Sequence, residues 1–416
     1  MSLLKKDNFK ICLVGLGYVG LPLAARFACK GFDVVGFDID QERVRELQNC
    51  NDRNNDINID DLEILNKESK ITSNIGDIKE CNIFIVTVPT PINEDKTPDL
   101  KPIIASSVLI GSLISKGSIV IYESTVYPGV TDDVCAPILE RESKLTLNKD
   151  FFTGYSPERI VPGDKINTIE KIKKIVSASN LDSLEIITFL YSSIIDAGIH
   201  IAPSIKVAEA AKVTENIQRD VNIALINELH QLYSALGIST NEVIEAASTK
   251  WNFMKLTPGL VGGHCISIDP YYLMHKSEIA GYSPNLMQTA RKINDEMGDW
   301  VLNNFLNFIK QKDIDLNAIN ITVLGYTFKE NCGDIRNTKI KDLLSSMKTL
   351  GLNLSLWDPF LSHEIKQEIK DTGINVYDNE PAGVELAFVC VYHDQIVSFL
   401  KNFDGIVYDY RKQKFL

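Results

Sequence analysis

The most chemically suggestive stretch of this chain is Gly262-Gly263-His264-Cys265-Ile266-Ser267-Ile268-Asp269-Pro270. A thiolate is a strong nucleophile, and paired glycines let a backbone approach a ligand closely. Asp269 follows Cys265 by four residues, so one helical turn would put both on the same face. His264 is the immediate neighbour of Cys265, and adjacent side chains diverge. Its expected role is backbone positioning or a core hydrogen bond. The other seven cysteines (Cys12, Cys29, Cys50, Cys81, Cys135, Cys332 and Cys390) read as small buried apolar residues. No C-x-x-C pair occurs, and no metal site is expected.

A second group lies between Glu209 and Arg219. Lys212 and Asn216 are four residues apart, and Glu209 and Arg219 fall on the same helical face, opposite Val207, Ile217, Val221 and Leu225. Such a face is ordinarily solvated, with a Glu209–Lys212 surface pair, and Lys212 gains chemical meaning only if the face lines a cleft. Glu123-Ser124-Thr125 and Tyr155-Ser156-Pro157-Glu158-Arg159 each follow an apolar run, which places both at a sheet edge.

Gly15-Leu16-Gly17-Tyr18-Val19-Gly20 comes directly after the apolar run Ile11–Val14 and before a helical segment. Its glycines permit a tight turn and close approach to a pyrophosphate, which then sits at the helix N-terminus. Asp38, at the end of the second strand, would accept from the ribose hydroxyls and repel a 2′-phosphate, favouring NAD over NADP. Arg43 is placed to lie along the adenosine, although a lone arginine there is more often an ordinary surface residue. Val88-Pro89-Thr90-Pro91 ends a further strand and brings Thr90 to the ligand edge. NAD, a nucleophilic cysteine, a lysine and carboxylates together allow more than simple alcohol oxidation. The thiol can hold an aldehyde as a thiohemiacetal, lose a second hydride to give a thioester, and be released by water.

These residues need a scaffold, and the pattern supplies one. Strand candidates Ile11–Val14, Asp33–Phe37, Ile83–Val88, Ser118–Glu123, Phe151–Gly154 and Ile175–Ser179 alternate with helical stretches, which predicts a doubly wound parallel sheet. Ser204–Leu236 contains neither proline nor glycine and predicts one helix of roughly 30 residues, a spine that also suits a subunit interface. A second alternation follows: Ile321–Leu324, Leu354–Trp357, Ile374–Tyr377, Leu386–Val391 and Gly405–Tyr408. It opens on Gly325 without a G-x-G-x-x-G, so a second dinucleotide is not expected there. The fold class is α/β, with two Rossmann-like doubly wound domains joined by a long central helix and a helical middle region. The expected boundaries are 1–203, 204–312 and 313–416.

A chain of 416 residues exceeds one core, and 44% hydrophobic content excludes a largely disordered protein. A net charge of −12 argues against nucleic-acid binding, which needs a basic footprint. No run approaches about 18 apolar residues, so membrane insertion is not expected. Scattered cysteines and the lack of a signal-peptide stretch suit a reducing cytoplasm.

The chain resembles the nucleotide-sugar 6-dehydrogenases, the UDP-glucose/GDP-mannose dehydrogenase family, over essentially its whole length. The resemblance is carried by the Gly15–Ala24 loop and helix, Val88–Pro91, Glu123–Gly129, Gly154–Gly163, Glu209–Leu229, Gly262–Pro270 and Phe328–Asn337. It implies an N-terminal NAD domain, a helical middle and a C-terminal domain gripping the nucleotide-sugar. By motif, Cys265 resembles the nucleophile and Lys212 the group that stabilises the alkoxide and oxyanion. Asn216 matches its helper, and Asp269 the residue that places water or shuttles its proton. Glu158 resembles the acid/base of thioester hydrolysis, and Thr125 a residue that holds water and borders the nicotinamide. Phe328 and Lys329 match substrate-binding positions, joined there by Glu158, Arg159, Lys212 and Asn216. Arg336 matches a position that contacts NAD. His264 and Ile268 resemble the UDP-N-acetylhexosamine branch, as do Thr249–Phe253 and Pro258–Val261, which are similar to the Vi-antigen-type UDP-N-acetylglucosamine/galactosamine enzymes of capsule and O-antigen synthesis. UDP-N-acetylmannosamine and UDP-glucose are the alternative substrates, and a homodimer or higher homo-oligomer is implied. Gly333 stands where relatives usually carry Pro, and Ser267 where Gly or Pro is usual. A two-electron 3-hydroxyacid dehydrogenase would leave Cys265 and the second α/β region without a task. A non-catalytic NAD or nucleotide sensor would not need the Cys, Lys, Asn, Glu and Asp set.

Overall fold

The computed structural model describes residues 5–54, 56–160, 168–263, 265–316 and 318–412, so His264 lies outside the described residues. The chain forms two compact units. One contains the chain up to Glu215 with Tyr271–Tyr282, and the other contains Asn216–Pro270 and everything from Ser283. No helix among the described residues is long and apolar enough to cross a membrane.

The first unit is built on β1 (Lys10–Val14), β2 (Asp33–Phe37), β3 (Lys70–Thr72), β4 (Ile83–Val86), β5 (Ile119–Tyr122), β6 (Phe152–Tyr155), β7 (Lys174–Ala178) and β8 (Ile199–Ile201). Their order is β3-β2-β1-β4-β5-β6-β7-β8, so the winding reverses between β1 and β4. β1, β4 and β5 are unbroken apolar runs because helices cover both faces, with Ile11, Leu13, Phe27, Ile85, Ile121 and Leu190 in one core. Phe37, Val14, Val86, Tyr122 and Tyr155 stand in one register row across the parallel strands. One step further, the chain therefore delivers Asp38, Gly15, Thr87, Glu123 and Ser156 to a single edge. The expected parallel series ends at β6, since β7 pairs antiparallel through Gly154–Ala178 and Tyr155–Ser177. Between β6 and β7 the described residues include only a 3-10 turn, Ile169–Lys171, and an antiparallel partner needs no helical crossover.

The second unit carries β9 (Ile321–Leu324), β10 (Leu354–Trp357), β11 (Asn375–Val376), β12 (Leu386–Val389) and β13 (Ile406–Asp409). They are all parallel, in the order β11-β10-β9-β12-β13, which repeats the plan of β3 to β5. The helix Asn285–Gln311 lays Met297, Val301, Phe305 and Phe308 on this sheet's core.

The spine is one helix, Ile205–Leu236, of 32 residues and about 48 Å. Its buried side takes in most of the polar face expected to be solvated, together with Ile205, Val213 and Ile226. Val207, Leu225 and Leu232 are exposed, whereas Glu209, Lys212, Asp220, Asn227 and His230 are buried. Arg219 alone of the expected polar face points to solvent. The burial is tolerated because each polar group is matched. The Glu209 carboxylate accepts the Gly129 N–H at 2.5 Å and the Thr131 N–H at 2.9 Å. Arg291 donates to Asp220 at 2.6 Å, and Asn227 exchanges two bonds with the Gly259 backbone at 3.0 and 2.9 Å. His230 bridges Thr240 Oγ1 at 2.8 Å and the Tyr410 carbonyl at 2.6 Å, and burial pushes its pKa down to about 4, so it is neutral at pH 7.

Burial also pushes the Glu209 carboxyl up to about 7, against the lowering effect of the Gly129 and Thr131 amides. A carboxyl whose pKa is higher in the folded state contributes stability that is fully present below its unfolded value. That stability is lost as pH rises through the folded value. Between pH 5 and pH 8 the wild type should therefore lose about 2–3 kcal/mol of unfolding free energy relative to Glu209→Gln. Urea unfolding at the two pH values measures this difference, and parallel pH dependences would contradict it.

Candidate active site

The glycine loop is set by the backbone before any ligand is considered. Gly15 sits at φ +97°, and its N–H reaches the Phe37 carbonyl at 2.8 Å. A Cβ on Gly20 would fall onto the Gly15 carbonyl and the Thr87 hydroxyl, so that glycine is demanded by helix packing. A Cβ on Gly17 would meet no protein atom within 4 Å, and its φ is not positive. Neither packing nor a positive φ demands Gly17, so its backbone is left open to close approach. Thr87, which the sequence did not flag, donates to the Gly15 carbonyl at 2.8 Å and locks the loop to β4. Its only signal was its place one residue beyond an apolar strand.

Asp38 is half-buried. It accepts the Leu16 N–H at 2.8 Å and the Asp40 N–H at 2.9 Å, one on each oxygen, and a carboxylate has further lone pairs for ribose hydroxyls. Val19 and Thr90 are buried, and Tyr18 is half-buried. Arg43 is not the ordinary surface residue that its isolation suggested. Its buried guanidinium lies 2.8 Å from Asp52 and 3.6 Å from Asp56, and Nε donates to the Leu16 carbonyl at 3.2 Å. It fastens the glycine loop from behind, with its charge already neutralised.

Along the same edge, Ser124 donates to the Val88 carbonyl at 2.6 Å and ties the loop of half-buried Thr125 to that of Thr90. Buried Lys212 donates to the Glu158 backbone carbonyl at 2.5 Å and lies 3.4 Å from its carboxylate. Desolvation raises the Glu158 pKa, with Glu123 adding to the rise and Lys212 and Lys174 opposing it. Arg159 is spanned by Glu215, at 2.8 Å, and by the Lys173 carbonyl, at 2.7 Å. The expected Glu209–Lys212 surface pair is absent, because each side chain turns to a buried partner instead. This unit thus brings together the glycine loop, Asp38, Thr90, Thr125, Glu158, Arg159 and Lys212.

The second unit holds the thiol. The Cys265 carbonyl accepts the Asp269 N–H at 2.9 Å, so the expected helical turn forms, and Asp269 opens the helix Asp269–Ile279. Asn216 donates to the buried Asp269 carboxylate at 2.6 Å. The paired glycines are required by protein packing. Added Cβ atoms would lie 2.9 Å from Phe328 Cβ at Gly262 and 2.8 Å from the Phe328 ring at Gly263. The Gly263 N–H bonds the Arg336 carbonyl at 3.0 Å, which joins the cysteine loop to the loop of half-buried Phe328 and Lys329. Ser267 donates to the Gly263 carbonyl, so this departure from the family pattern ties the loop. Arg336 pairs with Asp334, Nε lying 2.9 Å from Oδ1. Of the seven other cysteines, Cys12, Cys81, Cys135 and Cys390 are buried, Cys50 and Cys332 half-buried, and Cys29 exposed, so the uniform apolar reading holds only in part.

Three consecutive segments match the UDP-glucose/GDP-mannose dehydrogenase family: residues 9–195 its NAD binding domain, 206–296 its central domain, and 322–414 its UDP binding domain. The chain is 46% identical to Protein CapL of Staphylococcus aureus over 403 residues, covering 97% of this chain and 94% of that protein. It is 50% identical to the UDP-N-acetyl-D-glucosamine 6-dehydrogenase of Pseudomonas aeruginosa over 357 residues, 86% of this chain and 84% of the other. The solved structure of a UDP-D-ManNAc dehydrogenase from Pyrococcus horikoshii superposes with a TM-score of 0.85 at 27% identity, covering 97% of this chain and 96% of that one. The chain therefore belongs to the UDP-glucose/GDP-mannose dehydrogenase family and is an NAD-dependent oxidoreductase.

Proposed function

We propose that this enzyme oxidises the C6 hydroxyl of a UDP-N-acetylhexosamine, UDP-N-acetylglucosamine or its galacto epimer, to the carboxylate. The product would be a uronic acid precursor for a surface polysaccharide such as capsule or O-antigen. The observation that carries the reading is buried Lys212, held on Glu158 rather than spread on a solvated helix face. A cation kept out of water stabilises negative charge on a reacting oxygen far better than an exposed one. The names of the relatives in Staphylococcus and Pseudomonas supply the sugar class and the capsule context. UDP-N-acetylmannosamine is the second reading, favoured by the name of the Pyrococcus structure.

Bound NAD supplies the hydride acceptor for both oxidations. Lys212, helped by Asn216, stabilises the C6 alkoxide as its proton passes to water, and the first hydride then leaves C6 to give the aldehyde. The Cys265 thiolate adds to the aldehyde carbon, forming a C–S bond, and Lys212 stabilises the oxyanion of the thiohemiacetal. Loss of the second hydride leaves a thioester. Water held by Thr125 and Asp269 then adds to the carbonyl, its proton passes to Glu158, and the C–S bond breaks to release the acid and return the Cys265 thiolate. In this reading residues 1–203 hold NAD through Gly15, Gly17, Tyr18, Val19, Gly20, Asp38 and Thr90, with Arg43 bracing the loop from behind, and Arg336 is the further NAD-binding residue that the family motif implies. Residues 204–312 carry the spine and cysteine loop. Residues 313–416 hold the UDP-sugar through Phe328 and Lys329, and Arg159 is a further substrate-binding residue. A cytoplasmic homodimer fits a thiol enzyme whose spine exposes Val207, Leu225 and Leu232.

Two NADH should be released per UDP-N-acetylglucosamine consumed, and Cys265→Ala should yield no acid while still binding NAD. A stoichiometry near one NADH, or faster turnover of UDP-glucose in a panel of UDP-sugars, would overturn the proposal. Gly17→Ala should leave the melting temperature unchanged and weaken NAD binding at least tenfold by calorimetry. Gly20→Ala should also lower stability by about 1–3 kcal/mol through overpacking.

A further inference from the structure

Lys174 was not singled out by any motif, yet among the described residues it is one of four charged side chains buried behind the β5–β6 edge. It lies on β7, with its side chain 6% exposed, and its amino group is 2.6 Å from Glu123 Oε2. The same amino group donates to the Pro157 carbonyl at 3.1 Å. Lys212 holds the next carbonyl, that of Glu158, at 2.5 Å. Two lysines from two different elements thus grip consecutive peptide oxygens of one turn. The Tyr191 hydroxyl donates to the other Glu123 oxygen, and Lys174 stands 5.3 Å above the Tyr191 ring.

We propose that Lys174 is a positioning residue for Glu158: it fixes the Pro157–Glu158 turn and neutralises Glu123, so that Glu158 stands ionised for thioester hydrolysis. The inference rests on the reading of Glu158 as the base of that step. Lys174 reaches two segments, and each carries a proposed site residue: Glu123 leads to Thr125, and Pro157 precedes Glu158. Among the described residues, the charged and titratable groups around Glu158 are few. The β5 end brings Glu123, β7 brings Lys174, and the helix Leu181–Ser192 brings Tyr191. The spine brings Lys212 and Glu215, the latter paired with Arg159. Burial raises the Tyr191 phenol well above its ordinary value, so it stays a donor. The two lysines and two glutamates therefore balance. Without Lys174, two carboxylates would share one cation, and like charges in a buried site favour protonation of one of them.

The test uses the full-length enzyme with UDP-N-acetylglucosamine. It follows the pH profile of kcat and the covalent adduct on Cys265, the latter by rapid quench and mass spectrometry. Lys174→Met should accumulate the Cys265 adduct and lower kcat at pH 7 about tenfold. Its acid limb should move about one unit to higher pH. Lys174→Arg should restore both readouts. The electroneutral pair Glu123→Gln/Lys174→Met, which also serves if the single variant fails to fold, should accumulate adduct but keep the acid limb in place. An unmoved limb in folded Lys174→Met, or no adduct in the double variant, would overturn the inference. Glu158→Gln separates the two claims. If it accumulates no adduct, the reading of Glu158 itself fails; if it does while the Lys174 variants do not, only the role of Lys174 fails.

Discussion

The spine helix buries polar groups, and much of the site follows from the need to satisfy them. Glu209, Lys212, Asn216, Asp220, Asn227 and His230 recur at three-, four- and seven-residue intervals, which places them along one stripe. An unsatisfied buried polar group costs about 1–3 kcal/mol, more if charged, so the stripe is stable only where other segments bring matching donors and acceptors. Glu209 requires the Gly129–Thr131 turn, Lys212 the Glu158 turn, Asn216 the first residue of the Asp269 helix, and Asn227 the strap at Gly259. Two of these partners, the Glu158 turn and Asp269, are also proposed to do chemistry. A substitution that removes a polar group from this stripe leaves a loop without its tether.

The two sheets show one frame used in two ways. In each, a glycine at positive φ follows the first strand and donates to the second strand's last residue: Gly15 to Phe37 at 2.8 Å and Gly325 to Trp357 at 2.9 Å. In each, an acid after the second strand accepts the next N–H: Asp38 from Leu16 at 2.8 Å and Asp358 from Tyr326 at 2.6 Å. There the likeness ends. Asp38 stays half-buried with lone pairs to spare, whereas Asp358 is sealed by the Thr327 and Phe360 amides and by His393 Nε2 at 3.0 Å. Against the raising effect of burial, the His393 pair and the Tyr326 and Phe360 amides hold the Asp358 carboxyl below its ordinary range. Thr327 stands where the open glycine, Gly17, stands in the first frame. The second frame has spent its acid on shaping the loop of Phe328 and Lys329, whose neighbour Asn331 donates its N–H to His393 Nδ1 at 2.9 Å.

Features that depend on near neighbours in sequence were legible before the structure. The apolar strands, the glycine loop with its acid, the uninterrupted spine and the Cys265–Asp269 turn all arise from local periodicity or local backbone demands. Features that depend on distant partners were not. Edge strands β3 and β8 have three residues each, too few for a pattern. The spine faces inward on its polar side because Glu209 meets amides some 80 residues earlier. The double glycine was read as room for a ligand, but its constraint is the Phe328 ring, 65 residues further along the chain. Lys174 gave no signal because a lysine in the run Lys171-Ile172-Lys173-Lys174 looks like any solvated charge.

The net charge of −12 left open how anionic ligands would be held, and the buried cations give part of the answer. Arg43 with Asp52, Lys174 with Glu123, Lys212 with Glu158 and Arg291 with Asp220 are each matched within hydrogen-bonding or ion-pair distance. None is a bare charge awaiting a ligand, because an uncompensated buried cation would destabilise the fold by several kcal/mol. Under the proposed chemistry Lys212 must therefore share its protons rather than release a partner. Its contact with the Glu158 carbonyl is 2.5 Å and its contact with the carboxylate is 3.4 Å. In that chemistry the longer one would be redirected to a developing oxyanion at the least cost, while the shorter one would keep the ammonium in place. That exchange would leave the Glu158 carboxylate with one interaction fewer at the stage when the proposed base is required, and so would make it the better proton acceptor.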